Sequence, residues 1–107
     1  MQFYSGKISP FEGDDATLGG LQDNGSLLYD GTPLSPAVMV SGGDGGYCYF
    51  DPLNEGSYIS TVYENAFNTY LDDYTNNYIG DYTSGTFISP FAVDFENERI
   101  FANAVSF

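Results

Sequence analysis

The stretch SYISTVYENAFNTYLDDYTNNYIGDY, residues 57–82, decides how the fold of this chain is predicted. Its apolar residues follow the spacing i, i+3, i+4, i+7, which is typical of an α-helix that buries one face. They stand at positions 59, 62, 63, 66, 67, 70, 71, 74 and 78. The spacing predicts a central amphipathic helix over about residues 58–77, with Asn76, Asn77 and Gly80 as candidate C-terminal stops.

The segments on both sides of this stretch predict short strands separated by turns. Strands are expected at 2–8, 27–29, 37–40, 47–50, 91–95 and 99–107, with a polar loop at 11–25. The Asp30-Gly31 dipeptide predicts a tight hairpin whose return strand contains Pro33. Strands, one helix and strands again predict an α+β fold, in which a small antiparallel sheet packs on the central helix. At 107 residues, the chain is expected to form a single domain over 1–107.

The charge balance is the least ordinary property of the sequence. Fifteen Asp and Glu residues stand against Lys7 and Arg99 alone, which gives a net charge of −13 without any histidine. Such a field repels nucleic acid, phosphate ligands and anionic membranes, and it attracts basic surfaces. We therefore expect a basic protein surface as the partner, on a nucleic-acid-binding protein, and neither nucleic acid nor a membrane. The composition assigns no oligomeric state.

The residue types also limit the chemistry. Without histidine, the usual nucleophilic triads and zinc sites are excluded. The aspartates in Gly42-Gly43-Asp44-Gly45-Gly46, Asp14-Asp15 and Asp23-Asn24-Gly25 lack the spacing of a calcium loop. Cys48, the only cysteine, lies in an apolar stretch and is expected to be a buried thiol. The prediction is a protein that is not an enzyme and holds no metal or cofactor.

In size and composition, the chain resembles the small acidic proteins that phages use as nucleic-acid mimics against host restriction or CRISPR machinery. The resemblance implies an anti-restriction or anti-CRISPR inhibitor that occupies the basic groove of a host nuclease or surveillance complex. On the predicted helix, Glu64, Asn68 and Asp72 recur at i, i+4 and i+8 and would form an acidic ridge. The predicted partner-binding residues are Glu64, Asp72, Asp73, Tyr78, Asp81, Tyr82, Asp14, Asp15 and Asp23.

Two other interpretations stay open at this point. The abundance of Tyr, Gly, Asn and Thr also suits a structural or assembly protein, such as a virion or adhesin subunit without an inhibitory role. A halophilic source would make the acidic surface general, although the acidic fraction here is ordinary. The sequence contains no run of 18 apolar residues and no secretory signal at its N-terminus. The expected location is the cytoplasm, that of a host cell if a phage encodes the protein.

Overall fold

The computed structural model describes residues 2–62, 65–70, 76–81 and 86–102, and at 65, 70 and 76–81 it describes the backbone alone. Within these ranges the chain forms ten β-strands and no helix. The strands are β1 Phe3–Ile8, β2 Thr17–Leu21, β3 Gly25–Tyr29, β4 Val38–Ser41, β5 Cys48–Phe50, β6 Tyr58–Thr61, β7 Asn65–Tyr70, β8 Asn76–Asp81, β9 Phe91–Asp94 and β10 Arg99–Ala102. The described chain is all-β.

The predicted central helix over 58–77, and with it the α+β fold, is wrong. Strands β6, β7 and the start of β8 lie in that stretch, and the Val62 N–H, directly after β6, donates to the Ala66 carbonyl of β7 at 3.1 Å. The β-branched and aromatic residues of this stretch have high strand propensity. All four residues of β6 are buried, so no polar alternation is present to reveal a strand.

The strands form three antiparallel units. The first sheet has the order β1-β2-β3-β4, and the middle sheet has the order β5-β6-β7-β8. The third unit is the C-terminal hairpin, β9 paired with β10. In all three, neighbouring strands in space are also neighbours in the sequence, so every pairing is local in the chain.

The middle sheet is covered on both faces. In β6, Tyr58 points toward the first sheet and Ile59 toward the hairpin, because successive side chains of a strand alternate between faces. The first cluster joins Leu18, Cys48 and Tyr58 with Leu28, Val40 and Phe50. The second joins Ile59, Phe67 and Phe91 with Tyr47, Tyr49, Val93, Phe95 and Ile100. The core is therefore two apolar layers with the middle sheet between them.

Glycines allow the loop at 42–46 to lie directly on the first sheet. A Cβ added at Gly20 would overlap the Gly46 carbonyl oxygen and lie 2.7 Å from the Gly45 carbonyl carbon. The Gly45 N–H donates to the Leu21 carbonyl at 2.9 Å, and the Gly46 N–H donates to the Thr61 carbonyl at 2.9 Å. The loop thus connects the first and middle sheets by main-chain contacts that only glycine permits at this distance.

The strand predictions had mixed outcomes. Strands at 2–8, at 47–50 and in the hairpin up to residue 102 are confirmed, and the apolar run at 37–40 coincides with β4 except at its ends. The polar loop expected at 11–25 is wrong, because β2 lies within it and buries Leu18 and Leu21 completely. The return strand expected around Pro33 is also wrong, since the chain turns there and β4 begins at Val38. The rest of the predicted final strand, 103–107, lies outside the described residues.

Candidate functional site

The predicted acidic residues of the first sheet do not form one patch. Asp14 and Asp15 precede β2, whereas Asp23 follows it. Strand β2 has five residues, and at a rise of about 3.4 Å per residue its ends are about 14 Å apart. The structure therefore places these three carboxylates at opposite ends of the first sheet.

Asp14 and Asp15 share their end of the sheet with Asp30. The Asp14 carboxylate accepts the Ser9 hydroxyl at 2.6 Å and the Ala16 N–H at 3.1 Å. A Cβ added at Gly31 would lie 2.5 Å from the Asp15 Cβ, so the Asp30 turn sits against Asp15.

Asp30 itself stays ionised at neutral pH. The Thr32 N–H and then the Ser35 hydroxyl, at 2.8 and 2.9 Å, hold the pKa of Asp30 below its ordinary value. Three ionisable carboxylates from two loops thus meet at this end.

At the opposite end, Asp23 and Asp44 come together. The Asp23 N–H donates to the Asp44 carboxylate, which ties the β2–β3 turn to the glycine-rich loop. Asp23 has a φ of 59°, a left-handed conformation that aspartate tolerates better than most residues. The carboxylate of Asp44, which has no calcium-loop spacing in the sequence, thus holds the neighbouring β2–β3 turn in place.

The helix that was expected to carry the acidic ridge is absent from the described residues. Asn68, its central residue, lies in β7 and is buried. Tyr78 and Asp81 lie in β8, where the backbone register sets them opposite Asn68 and Asn65. The remaining residues of that prediction, Glu64, Asp72, Asp73 and Tyr82, lie outside the described residues.

A groove opens between the middle sheet and the C-terminal hairpin. Its volume is about 420 Å³, within the range of about 300–1,000 Å³ usual for ligand pockets. Apolar side chains from both units line it, together with polar residues of the β5–β6 connection and two carboxylates. The lining residues are Asp51, Asn54, Ser57, Tyr58, Ile59, Thr69, Val93, Phe95, Glu98 and Ile100.

The two carboxylates of the groove come from turns on different units. Asp51 accepts the Leu53 N–H at 2.8 Å on one oxygen and the Asn54 side-chain amide at 3.0 Å on the other. Glu98 is exposed in the β9–β10 turn with a φ of 54°. Sequence reasoning missed both residues, because they are far apart in the chain and no local motif connects them.

The thiol of Cys48 is buried, as the sequence predicted. Its sulfur donates to the Leu18 carbonyl at 3.5 Å and lies 3.7 Å from the Ser5 hydroxyl. Burial raises the pKa of Cys48, which keeps the thiol protonated and unreactive at neutral pH.

In the described ranges, no group of three or more His, Cys, Asp or Glu residues is arranged to hold a metal ion. Across the same part of the chain, no helix is long and apolar enough to span a bilayer.

Compared with protein-family models, with curated proteins and with solved structures, the chain matches none of them. The charges, the contacts and the groove are therefore the features from which a function can be inferred.

Proposed function

We propose that this chain is a non-enzymatic, acidic protein-binding inhibitor. In this proposal it occupies the basic groove of a nucleic-acid-binding host protein, such as a restriction nuclease or a CRISPR surveillance complex, and excludes the nucleic acid. The observation that carries the proposal is the net charge of −13 with only two cationic side chains. Carboxylates that lack cationic partners are attracted to the lysine and arginine sites that normally bind phosphates.

The way in which the described carboxylates are held supports this proposal. Asp14, Asp30 and Asp94 accept hydrogen bonds from residues of their own turns. These bonds restrain the negative charges before a partner arrives, which reduces the entropy lost on binding. In Asp30 and Asp94 they also lower the pKa, so both residues keep their charge.

The test is a binding series with purified restriction nucleases and CRISPR effectors from about 0.05 to 0.5 M NaCl. The proposal predicts that affinity for at least one of them falls by about tenfold or more across the series, because ion pairs are screened. It also predicts that DNA or RNA competes with the chain for the same protein. Binding that is independent of salt, or unaffected by nucleic acid, would contradict the proposal.

A second candidate function is a role in assembly, and one observation favours it. The outer strands of the first sheet expose large apolar residues: Val38 and Met39 on β4, each 62% exposed, and Phe3 and Ile8 on β1. Exposed apolar strands at a sheet edge are templates for pairing with another chain. Size-exclusion chromatography with light scattering separates the two functions, since a discrete higher oligomer in the absence of any partner favours assembly.

A further inference from the structure

The groove between the middle sheet and the hairpin combines apolar walls with two carboxylates. We propose that it receives an arginine side chain from the basic partner, with the aliphatic stem against the apolar walls and the guanidinium at Asp51 and Glu98. This inference rests on the proposed function, because it names the contact by which a basic protein would be recognised.

The charges of the groove favour a cationic occupant. Asp51 and Glu98 are both acidic, and the described residues that line the groove include no lysine or arginine. Each Asp51 oxygen accepts one hydrogen bond from its own turn, which leaves acceptor capacity on both oxygens. An anionic occupant would be repelled by both carboxylates, whereas a cationic one would add hydrogen-bond donors to them.

The apolar walls favour a side chain with a long aliphatic stem. Ile59, Val93 and Ile100 come from three strands on two units and line one groove. Arginine and lysine both bury such a stem while their charged heads stay near water.

Arginine fits this groove better than lysine. Its planar guanidinium is more weakly hydrated than an ammonium group and stacks on aromatic rings, and Phe95 lines the groove. Its fork of N–H donors also matches carboxylate geometry.

The backbone at Glu98 supports the same assignment. A φ of 54° is the left-handed conformation that glycine adopts without strain, whereas glutamate is strained there. The turn thus has a carboxylate at the groove, at a position where glycine would be less strained.

The test uses two short peptides, identical except that one carries a single arginine between leucines and the other carries neutral citrulline. Each is titrated by NMR, at constant salt, into the full chain and into the Glu98→Gln and Glu96→Gln variants. The two variants have the same net charge and change the same turn, but only Glu98 lines the groove. Thermal unfolding of each variant confirms that it is folded.

The expected result is that Glu98→Gln weakens binding of the arginine peptide by about fivefold, as loss of a charge-assisted contact does, while Glu96→Gln changes it by less than about twofold. The citrulline peptide should bind weakly and show no difference between the variants. The backbone amides of Ile59, Val93 and Ile100 should shift on titration with the arginine peptide.

Several results would overturn the inference. Equal losses of peptide affinity in the two variants would show that only the overall negative charge of the chain attracts the peptide. The proposed function would then stand, but the groove would have no part in it. Equal affinity for a matched lysine peptide would remove the preference for arginine. Spermidine that binds as tightly as the arginine peptide, with the same dependence on Glu98, would identify a free polyamine as the occupant. Conversely, peptide binding that depends on Glu98 while no basic protein binds would contradict the proposed function alone.

Discussion

The two faces of the middle sheet are covered in different ways. On one face, the first sheet and its glycine-rich loop lie so close that a single methyl group at Gly20 would overlap main-chain atoms. On the other face, the hairpin packs through Phe91 and leaves a groove of about 420 Å³ beside it. One strand, β6, contributes to both faces: Tyr58 packs on the first and Ile59 on the second.

The difference shows where this chain has room for a ligand. The closed face is held by buried apolar side chains and by main-chain hydrogen bonds. The open face is held by an apolar cluster around Phe91, and the carboxylates of its groove lie in turns that can meet a partner. Both faces should therefore contribute to stability, whereas binding should depend on the second.

The largest effect is expected from Gly20→Ala. The added methyl group overlaps the Gly46 carbonyl, and neither segment can move without breaking the hydrogen bonds of the loop. We expect the free energy of unfolding to fall by about 3 kcal/mol or more, measured by chemical denaturation. Gly6→Ala is the matched control, because it also lies in a strand of the first sheet but its nearest contact would be 4.0 Å away. Equal losses in the two variants would contradict the close approach.

Phe91→Ala tests how the hairpin is held on the open face. The Phe91 ring meets Tyr49 and Phe67 edge to face, with centroids 4.9 and 5.0 Å away. We expect a loss of about 3 kcal/mol in the free energy of unfolding, together with loss of the amide protection of β9. Phe101→Ala, in the same hairpin but 59% exposed, should change stability by less than about 0.5 kcal/mol.

Glu98→Gly should separate stability from binding on the open face. Relief of the left-handed glutamate is expected to raise the free energy of unfolding by about 0.5–1 kcal/mol, as seen by thermal denaturation. The same change removes a carboxylate from the groove and should weaken binding of the arginine peptide. Glu96→Gly has no positive φ to relieve and should lower stability instead. A loss of stability in Glu98→Gly would argue against strain at this turn.

The smallest effect concerns the titration of Asp94 in the hairpin turn. The Asn97 side-chain amide, at 2.8 Å, and then the Asn97 N–H lower the pKa of Asp94 below its ordinary value of 3.8. Because the folded-state pKa is depressed, the bond stabilises the turn above the unfolded-state pKa and is lost as the pH falls through the folded value. Asn97→Ala should raise the pKa of Asp94 toward 3.8, as followed by carboxyl NMR, and leave Asp30 unchanged as the control. An unchanged Asp94 pKa would rule out the amide as the cause.

Strands marked by local signals could be predicted from the sequence. β1, β5 and the C-terminal hairpin have strand-forming residues bounded by turn residues, and they were found. β2 could not be found, because Gly19 and Gly20 weaken its strand character and the reason for them is a loop that contacts them from far along the chain. Burial of both faces also removed the alternation of β6, so its apolar residues combined with those of β7 into a false helical period.

Less of the candidate site than of the fold could be predicted from the sequence. The sequence shows that the chain is acidic, but antiparallel pairing decides which carboxylates meet, and it separates Asp14 from Asp23. Asp51 and Glu98 became candidates only because the hairpin folds back on the middle sheet. That arrangement depends on tertiary packing, which no local pattern encodes.

The buried thiol of Cys48 allows the opening rate of the closed face to be measured. It is fully covered between the first and middle sheets, and it is the only cysteine in the chain. A thiol reagent can therefore react only when the two sheets separate, so the rate of alkylation counts these openings. Substitutions confined to the hairpin should not change the alkylation rate, whereas Gly20→Ala, which crowds the loop at 42–46, should increase it. One naturally placed sulfur atom thus reports which side of the molecule a substitution has loosened.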